Sequence, residues 1–353
     1  MKSVLLVFTI LVSFHICKAQ KQIAVESAGN TSFYSDIQTA VTASNSGDKI
    51  YIPGGSFNVG TLHIDKKLEM YGVGHNPDST VATQPTYLTG IITLHTKASY
   101  GVIEGISISG AINYNLEDDT IRNFSIIRCN IQGGVYFPKS AFNNLIIENI
   151  IGSQLLATPG GNAGNNLISN NIISGATYYF NNGTQFLNNI FLYCSVGCFA
   201  SPLLISDINC TFENNLFMSY TYTTYSQCCC TFICDQTTNS IFSHNVFVED
   251  WTVDFGHCPG CISTSNYTAQ PFNSIFNYWD GNQAFSYADN FQLQNPSLYV
   301  DANGEQIGIY GGAFPWKTGS IPHNPHIQTK DINGSTDQIG NLPVNIKVAA
   351  QDH

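Results

Sequence analysis

The chain alternates short apolar runs with polar corners, and between about residues 142 and 247 this alternation becomes a repeat. Leu-Ile-Ile-Glu-Asn-Ile-Ile ends at Ile151, and Leu-Ile-Ser-Asn-Asn-Ile-Ile ends at Ile173. Phe-Leu-Asn-Asn-Ile-Phe, Phe-Glu-Asn-Asn-Leu-Phe and Phe-Ser-His-Asn-Val-Phe then end at Phe191, Phe217 and Phe247. Aligned on the last Asn, the marks are Asn149, Asn171, Asn189, Asn215 and Asn245, spaced 22, 18, 26 and 30 residues apart. No stretch of helical period separates the two apolar halves of a unit, so each reads as strand, corner, strand. A period of this order is that of stacked supersecondary units. Coiling lets each strand pair with its equivalent one turn on and fills the interior with Ile, Leu, Val and Phe. An Asn at the bend accommodates left-handed backbone, and successive amides stacked in register can bond one another as an Asn ladder. A β-sandwich with Asn-Asn turns is the alternative, but its turns have no reason to recur at one place in one motif.

The pattern continues upstream in Ile126–Ile131, in Val102–Ser107 with Gly at the corner, and in Leu68–Val73, which gives seven or eight coils. Ahead of it, Ser35-Asp36-Ile37-Gln38 forms a capping box, and Ile37, Ala40 and Val41 follow at helical spacing. Gly47-Asp48 ends this helix, and Lys49 to Pro53 begins a strand. Residues 36–74, DIQTAVTASNSGDKIYIPGGSFNVGTLHIDKKLEMYGVG, resemble the N-terminal cap and first coil of right-handed parallel β-helix proteins of the pectin lyase-like superfamily. The resemblance spans about Phe33 to Leu298. It implies an all-β, single-stranded right-handed solenoid whose short helix, within 33–47, plugs the open end and covers bare core and strand edges.

Met1–Ala19 reads as a secretory signal peptide: Lys2, the apolar Val4–Phe14, and small residues around Ala19. Its apolar run is too short for a membrane span. The expected organisation is thus signal peptide 1–19, solenoid 20–300, and 301–353 as a closing coil with a C-terminal strap and strand. Ile307–Gly312 followed by Pro315-Trp316 resembles the closing coil of secreted bacterial β-helix proteins, and Leu342, Val344, Ile346 and Val348 alternate as a last strand. Asn76–Tyr87, Ala111–Thr120, Gly160–Asn166 and Ser219–Thr238 are polar and irregular, and are expected to project from coil corners.

Composition narrows the partners. A net charge of −11, with only 13 Lys and Arg, argues against nucleic acid and against an anionic membrane surface. Ten cysteines follow Cys17, an even set that favours disulfides in a secreted chain. Buried thiols at Cys129 and Cys210, and a zinc site built on Cys258-Pro-Gly-Cys261 with Cys228, Cys230 and Cys234, are the other readings.

The resemblance implies polysaccharide chemistry: either carboxylates holding Ca²⁺ beside a basic residue, or paired Asp residues for acid and base work. Two acidic constellations answer to it. Asp119 with Arg122 is the better pair of the first, since Arg128, the other arginine, would lie roughly 20 Å from the Glu117–Asp119 run on one extended strand. The second is Glu249, Asp250, Asp254 and His257, which could bind Ca²⁺ or use His257 as base. The paired-Asp and Gly-His-Gly pattern of polygalacturonases is missing. Tyr220, Tyr222 and Tyr225, with Tyr178 and Tyr179, could instead present an aromatic platform to sugar rings. The expectation is therefore a secreted or cell-surface monomer without cofactor that binds glycan or serves structurally. The rival is a lyase or hydrolase of acidic polysaccharide, for which Ca²⁺ would be the cofactor.

Overall fold

The computed structural model describes residues 22–114, 120–193, 203–219, 233–248, 256–282 and 284–351. The chain is a parallel β-solenoid of about eight turns with one short helix near the N-terminus. One side is a 12-stranded sheet in which Lys49–Tyr51, Glu69–Tyr71 and Val102–Glu104 are followed by one short strand per turn to Ile262–Thr264. The next side is a 16-stranded sheet. Within it, the long strand Thr86–Leu94 pairs Ser107–Ile108 with its first half and Ile112–Tyr114 with its second, so later turns continue it as two ladders meeting at a bend. Three strands, Thr120–Arg122, Ser140–Phe142 and Asn162–Gly164, form the remaining side.

Register places like residues above like. Met70, Ile103, Ile126, Ile146, Ile168, Phe186, Phe212 and Phe242 form one inward column of fully buried side chains. Ile131, Ile151, Ile173, Phe191, Phe217 and Phe247 form another. The phenylalanines stack almost parallel, with centroids 4.7 and 4.9 Å apart in the first column and 4.9 and 5.2 Å in the second. Each buried Phe removes enough apolar surface from water to contribute about 1.5–3 kcal/mol.

The corner between the two large sheets uses two residues with separate tasks. Asn149, Asn171, Asn189, Asn215 and Asn245 are buried, and Asn266 extends their column. Each Oδ1 accepts from the backbone N–H of the residue one turn below, and within the column from that residue's Nδ2 as well (2.8–3.0 Å). Each Nδ2 also donates to a carbonyl of the 12-stranded sheet, such as Ile168 O from Asn189 (2.8 Å). The left-handed backbone belongs to the preceding residue: Arg128, Glu148, Asn170, Asn188, Asn214 and His244 all have φ between 48° and 59°. In the Asn-Asn pairs, the first therefore turns the chain and the second ladders it. In Ile126–Ile131 the ladder position is Cys129, not Asn130. A second column, Asn144, Asn166 and Thr184, serves the next corner.

The helix, α1 (Ile37–Ala43), buries Ile37, Ala40 and Val41 against the end of the core. Its N-cap is Asp36, whose carboxylate accepts from Thr39 N; Gln38 makes no reciprocal capping bond among the hydrogen bonds of the described residues. Lys66 Nζ closes the other end by donating to the carbonyls of Val41, Thr42 and Ser44. Three stretches read as projecting loops carry strands of the coil, Ile112–Tyr114, Asn162–Gly164 and Cys234–Asp235.

The 16-stranded sheet is apolar on both faces. Ile172, Ile190, Leu216 and Val246 point outward, and with Met218 and Val248 they are buried beneath Ile275, Phe276, Phe291, Leu293, Tyr299, Ile307 and Ile309. Residues 271–309 thus cover the solenoid wall with a second core. Ile307–Gly312 adds no strand to the coil; from here the chain runs back along the left-handed corner residues. Gly308 N donates to Asn214 O, Asn170 Nδ2 to Ile309 O and Gly311 O, and Lys317 N to Glu148. His326–Ile332 and Val344–Ala349 close the chain as an antiparallel hairpin. Among the described residues, no helix is long and apolar enough to cross a membrane.

Candidate functional site

Residues 271–294 build an aromatic cleft on the described surface. Pro271 leads into a 3-10 turn, Phe272–Ser274, and Phe276–Tyr278 pairs antiparallel with Asn290–Leu293. The connecting turn is held by its own side chains. Asp280 accepts from Asn282 N and Nδ2 (2.8 and 2.7 Å), Trp279 Nε1 donates to Asn282 O (3.0 Å), and Asp289 accepts from Asp280 N. Gly281 supplies the left-handed backbone this turn needs, at φ 82°. Trp279 is thereby fixed 4.9 Å from Phe272 and edge-on to Phe276, which in turn packs edge-on against Phe291 in the second core. Phe272, Asn273, Phe276, Asn277, Tyr278, Trp279 and Gln294 line a cleft of about 250 Å³. Tyr278 is 55% exposed at its mouth. Gln294 braces the floor through Asn273 O and Phe276 O. Partial burial raises the Asp289 carboxyl above the ordinary range, offset by backbone donors. The cleft offers flat apolar rings beside the side-chain amides of Asn273, Asn277 and Gln294.

The five asparagine corners form the ladder described above. Asp119, Asp254, Tyr220, Tyr222 and Tyr225 lie outside the described residues, as do Glu249 and Asp250. Arg122 is exposed at the end of its strand. Arg128 is fully buried: its guanidinium bonds Glu148 through Nε (3.0 Å) and Nη2 (3.2 Å), and Nη1 reaches Ile321 O and Gln351 O. Glu104, also buried, accepts from His323 N and faces the His323 ring at 2.9 Å. This cluster fastens the returning chain to the corner, with Arg128, Glu104 and Glu148 closed to solvent and His323 partly exposed. His257 Nδ1 stands 3.4 Å from Asp235 Oδ1, with the two side chains 44% and 36% exposed. Tyr178 and Tyr179 are partly buried, with centroids 6.1 Å apart.

Cys258 is bonded to Cys234, which takes two members out of the zinc set, while Cys129, Cys210 and Cys261 are buried thiols. Burial pushes the Cys129 thiol up to about 12. Among the described residues, no three His, Cys, Asp or Glu side chains are arranged to hold a metal ion. Asp207 is a further buried acid, accepting from Thr177 Oγ1 (2.6 Å) and Phe180 N (2.9 Å), and burial raises its carboxyl to about 7. The aromatic cleft was visible in sequence as four aromatics within Phe272–Trp279, but no repeat or acidic motif drew attention to it.

No family model matches the chain, and no curated protein sequence matches it. A solved structure from Geobacillus virus E2, ORF18, is similar at a TM-score of 0.20 and 14% identity, over 67% of this chain and 56% of that one. The chain thus spans little more than half the length of that protein, and a likeness this slight carries no argument.

Proposed function

We propose that this protein is a secreted or cell-surface solenoid that binds glycan chains through the cleft around Trp279. The supporting observation is the cleft itself: an indole locked by its own turn, a second ring 4.9 Å away, and the side-chain amides of Asn273, Asn277 and Gln294 in the lining. Aromatic faces stack on the apolar faces of sugar rings while amides and carboxylates take up hydroxyl groups. A net charge of −11 favours neutral over acidic polysaccharide as the ligand. The likeness of residues 36–74 to pectin lyase-like caps agrees with a carbohydrate partner.

The test is migration of the purified protein in native gels loaded with neutral or acidic polysaccharides. Retardation is expected in at least one neutral gel. Trp279→Ala should weaken binding by about 2 kcal/mol, the scale of an aromatic anchor, or roughly 30-fold. Unretarded migration throughout, or retardation unchanged in Trp279→Ala and Tyr278→Ala alike, overturns the reading. The exposed His257–Asp235 pair favours a second reading, acid–base cleavage of an acidic chain. Incubating the same panel with and without Ca²⁺ and assaying reducing ends and unsaturated products reads it directly; product that disappears in His257→Ala establishes catalysis.

A further inference from the structure

At the opposite end of the solenoid, a groove of about 510 Å³ opens between α1 and the first two long strands of the 16-stranded sheet. Gln38, Thr42, His63, Lys66, His95 and Lys97 line it. His63 lies on Gly55–Ile64, between the buried Leu62 and Ile64, and so faces outward. His95 directly follows Thr86–Leu94, whose Leu94 is buried and pairs with Ile64, and it faces outward from the adjacent turn. The backbone between them is locked, because His95 N donates to Ile64 O (3.0 Å). The rings meet edge to edge, with centroids 5.4 Å apart and planes 28° apart, and His63 Nδ1 stands 3.1 Å from His95 Nε2.

We infer that His63 and His95 form a two-imidazole site for a divalent transition-metal ion of the Cu²⁺, Ni²⁺ or Zn²⁺ type. Two nitrogens each about 2.0–2.1 Å from one tetrahedral ion stand roughly 3.3 Å apart. The observed 3.1 Å is close to that value, and each ring turns by roughly 35° about its own side chain to aim its nitrogen at the ion instead of at the other ring. Imidazole nitrogen is the ligand these ions favour, and both rings bind in the neutral form. The hydrogen now shared between the two nitrogens moves to the far nitrogen of the same ring, so no net proton is needed or released. No third His, Cys, Asp or Glu completes a ligand set among the described residues. Lys66 does not compete for the site, since its ammonium is held by the three carbonyls that end α1. The site is built into the pairing of adjacent turns, and its ligands sit 32 residues apart in sequence, which is why no spacing motif announces it.

The experiment is Cu²⁺ titration of the tag-free protein, followed by equilibrium dialysis and electron paramagnetic resonance. One tight equivalent is expected, with hyperfine splitting from two imidazole nitrogens, displaceable by Zn²⁺. His63→Ala and His95→Gln should each lower affinity at least ~10-fold, the loss seen at metal sites even for removal of an outer partner. His257→Ala should leave it unchanged. The circular dichroism melt should be unaltered in all three, because His63 is exposed and Gln preserves the His95 backbone contacts. Absence of a stoichiometric equivalent, or an equivalent with the same spectrum in the His63→Ala, His95→Gln double variant, overturns the assignment.

Discussion

Asp207 shows how much one buried proton can control. Its carboxyl has no exposure, receives Thr177 Oγ1 and Phe180 N, and holds its proton to about pH 7, against an ordinary value of 3.8. Between those values the folded chain binds more protons than the unfolded one, so stability is full below the lower value and falls as pH rises through the window. Burial raises the Glu148 carboxyl as well, which adds to the same slope. Asp207→Asn keeps the shape and an acceptor for Phe180 N while removing the titration. The variant should lose much of the fall in melting temperature between about pH 4 and pH 7, and should be more stable than wild type near neutrality by on the order of 4 kcal/mol at most. An unchanged slope in the variant would sink this account.

At the scale of the element, the asparagine column decides the register of the turns from Asn149 to Asn266. Asn189 Oδ1 receives both the N–H and the Nδ2 of Asn171, and its own Nδ2 serves Ile168 O and Asn215 Oδ1. Asn189→Ala leaves several of these buried groups without partners, each costing about 1–3 kcal/mol. A loss of about 3 kcal/mol or more in urea unfolding is expected; a loss below about 1 kcal/mol would show that the ladder contributes little. The ladder was legible in sequence because period and residue type coincide: a strand-corner-strand unit with Asn at its corner allows few stackings. The identity of the turning residue was not, because Arg128, Glu148 and His244 adopt left-handed backbone that their side chains do not favour, and they do so only where tertiary contacts hold them. The helix plug was legible too, although Asp36 rather than Ser35 caps it.

Across the whole molecule, the covering segment was the part that sequence concealed. Alternation along Ile172-Ile173, Ile190-Phe191 and Leu216-Phe217 shows that both faces of the sheet are apolar, yet nothing local says that residues 271–309 lie on the outer one. The fastening is equally non-local: Arg128 reaches Ile321 and Gln351, 193 and 223 residues away. Arg128→Ala would leave Glu104 and Glu148 as buried carboxylates without their shared cation and free the returning chain. A cost of about 3–5 kcal/mol is expected, together with new tryptic cleavage at Lys317 and Lys330. A variant that keeps both its melting point and its protease resistance would show that the cluster is not the fastening.

The uneven spacing of the ladder has a consequence for how such a chain can change. Successive rungs are 18, 26 and 30 residues apart, yet Asn171, Asn189, Asn215 and Asn245 make the same bonds. The surplus residues of the two long intervals enter at one place, after Ile190–Tyr193 and after Leu216–Ser219, strands that stack turn upon turn in the same sheet. Insertions and deletions there leave the rungs untouched, whereas a single residue gained or lost within a rung would put every later side chain on the wrong face. Diversity is thus confined to one edge of the molecule, which makes that edge the natural place to graft foreign peptides or randomised libraries onto a scaffold that does not notice their length.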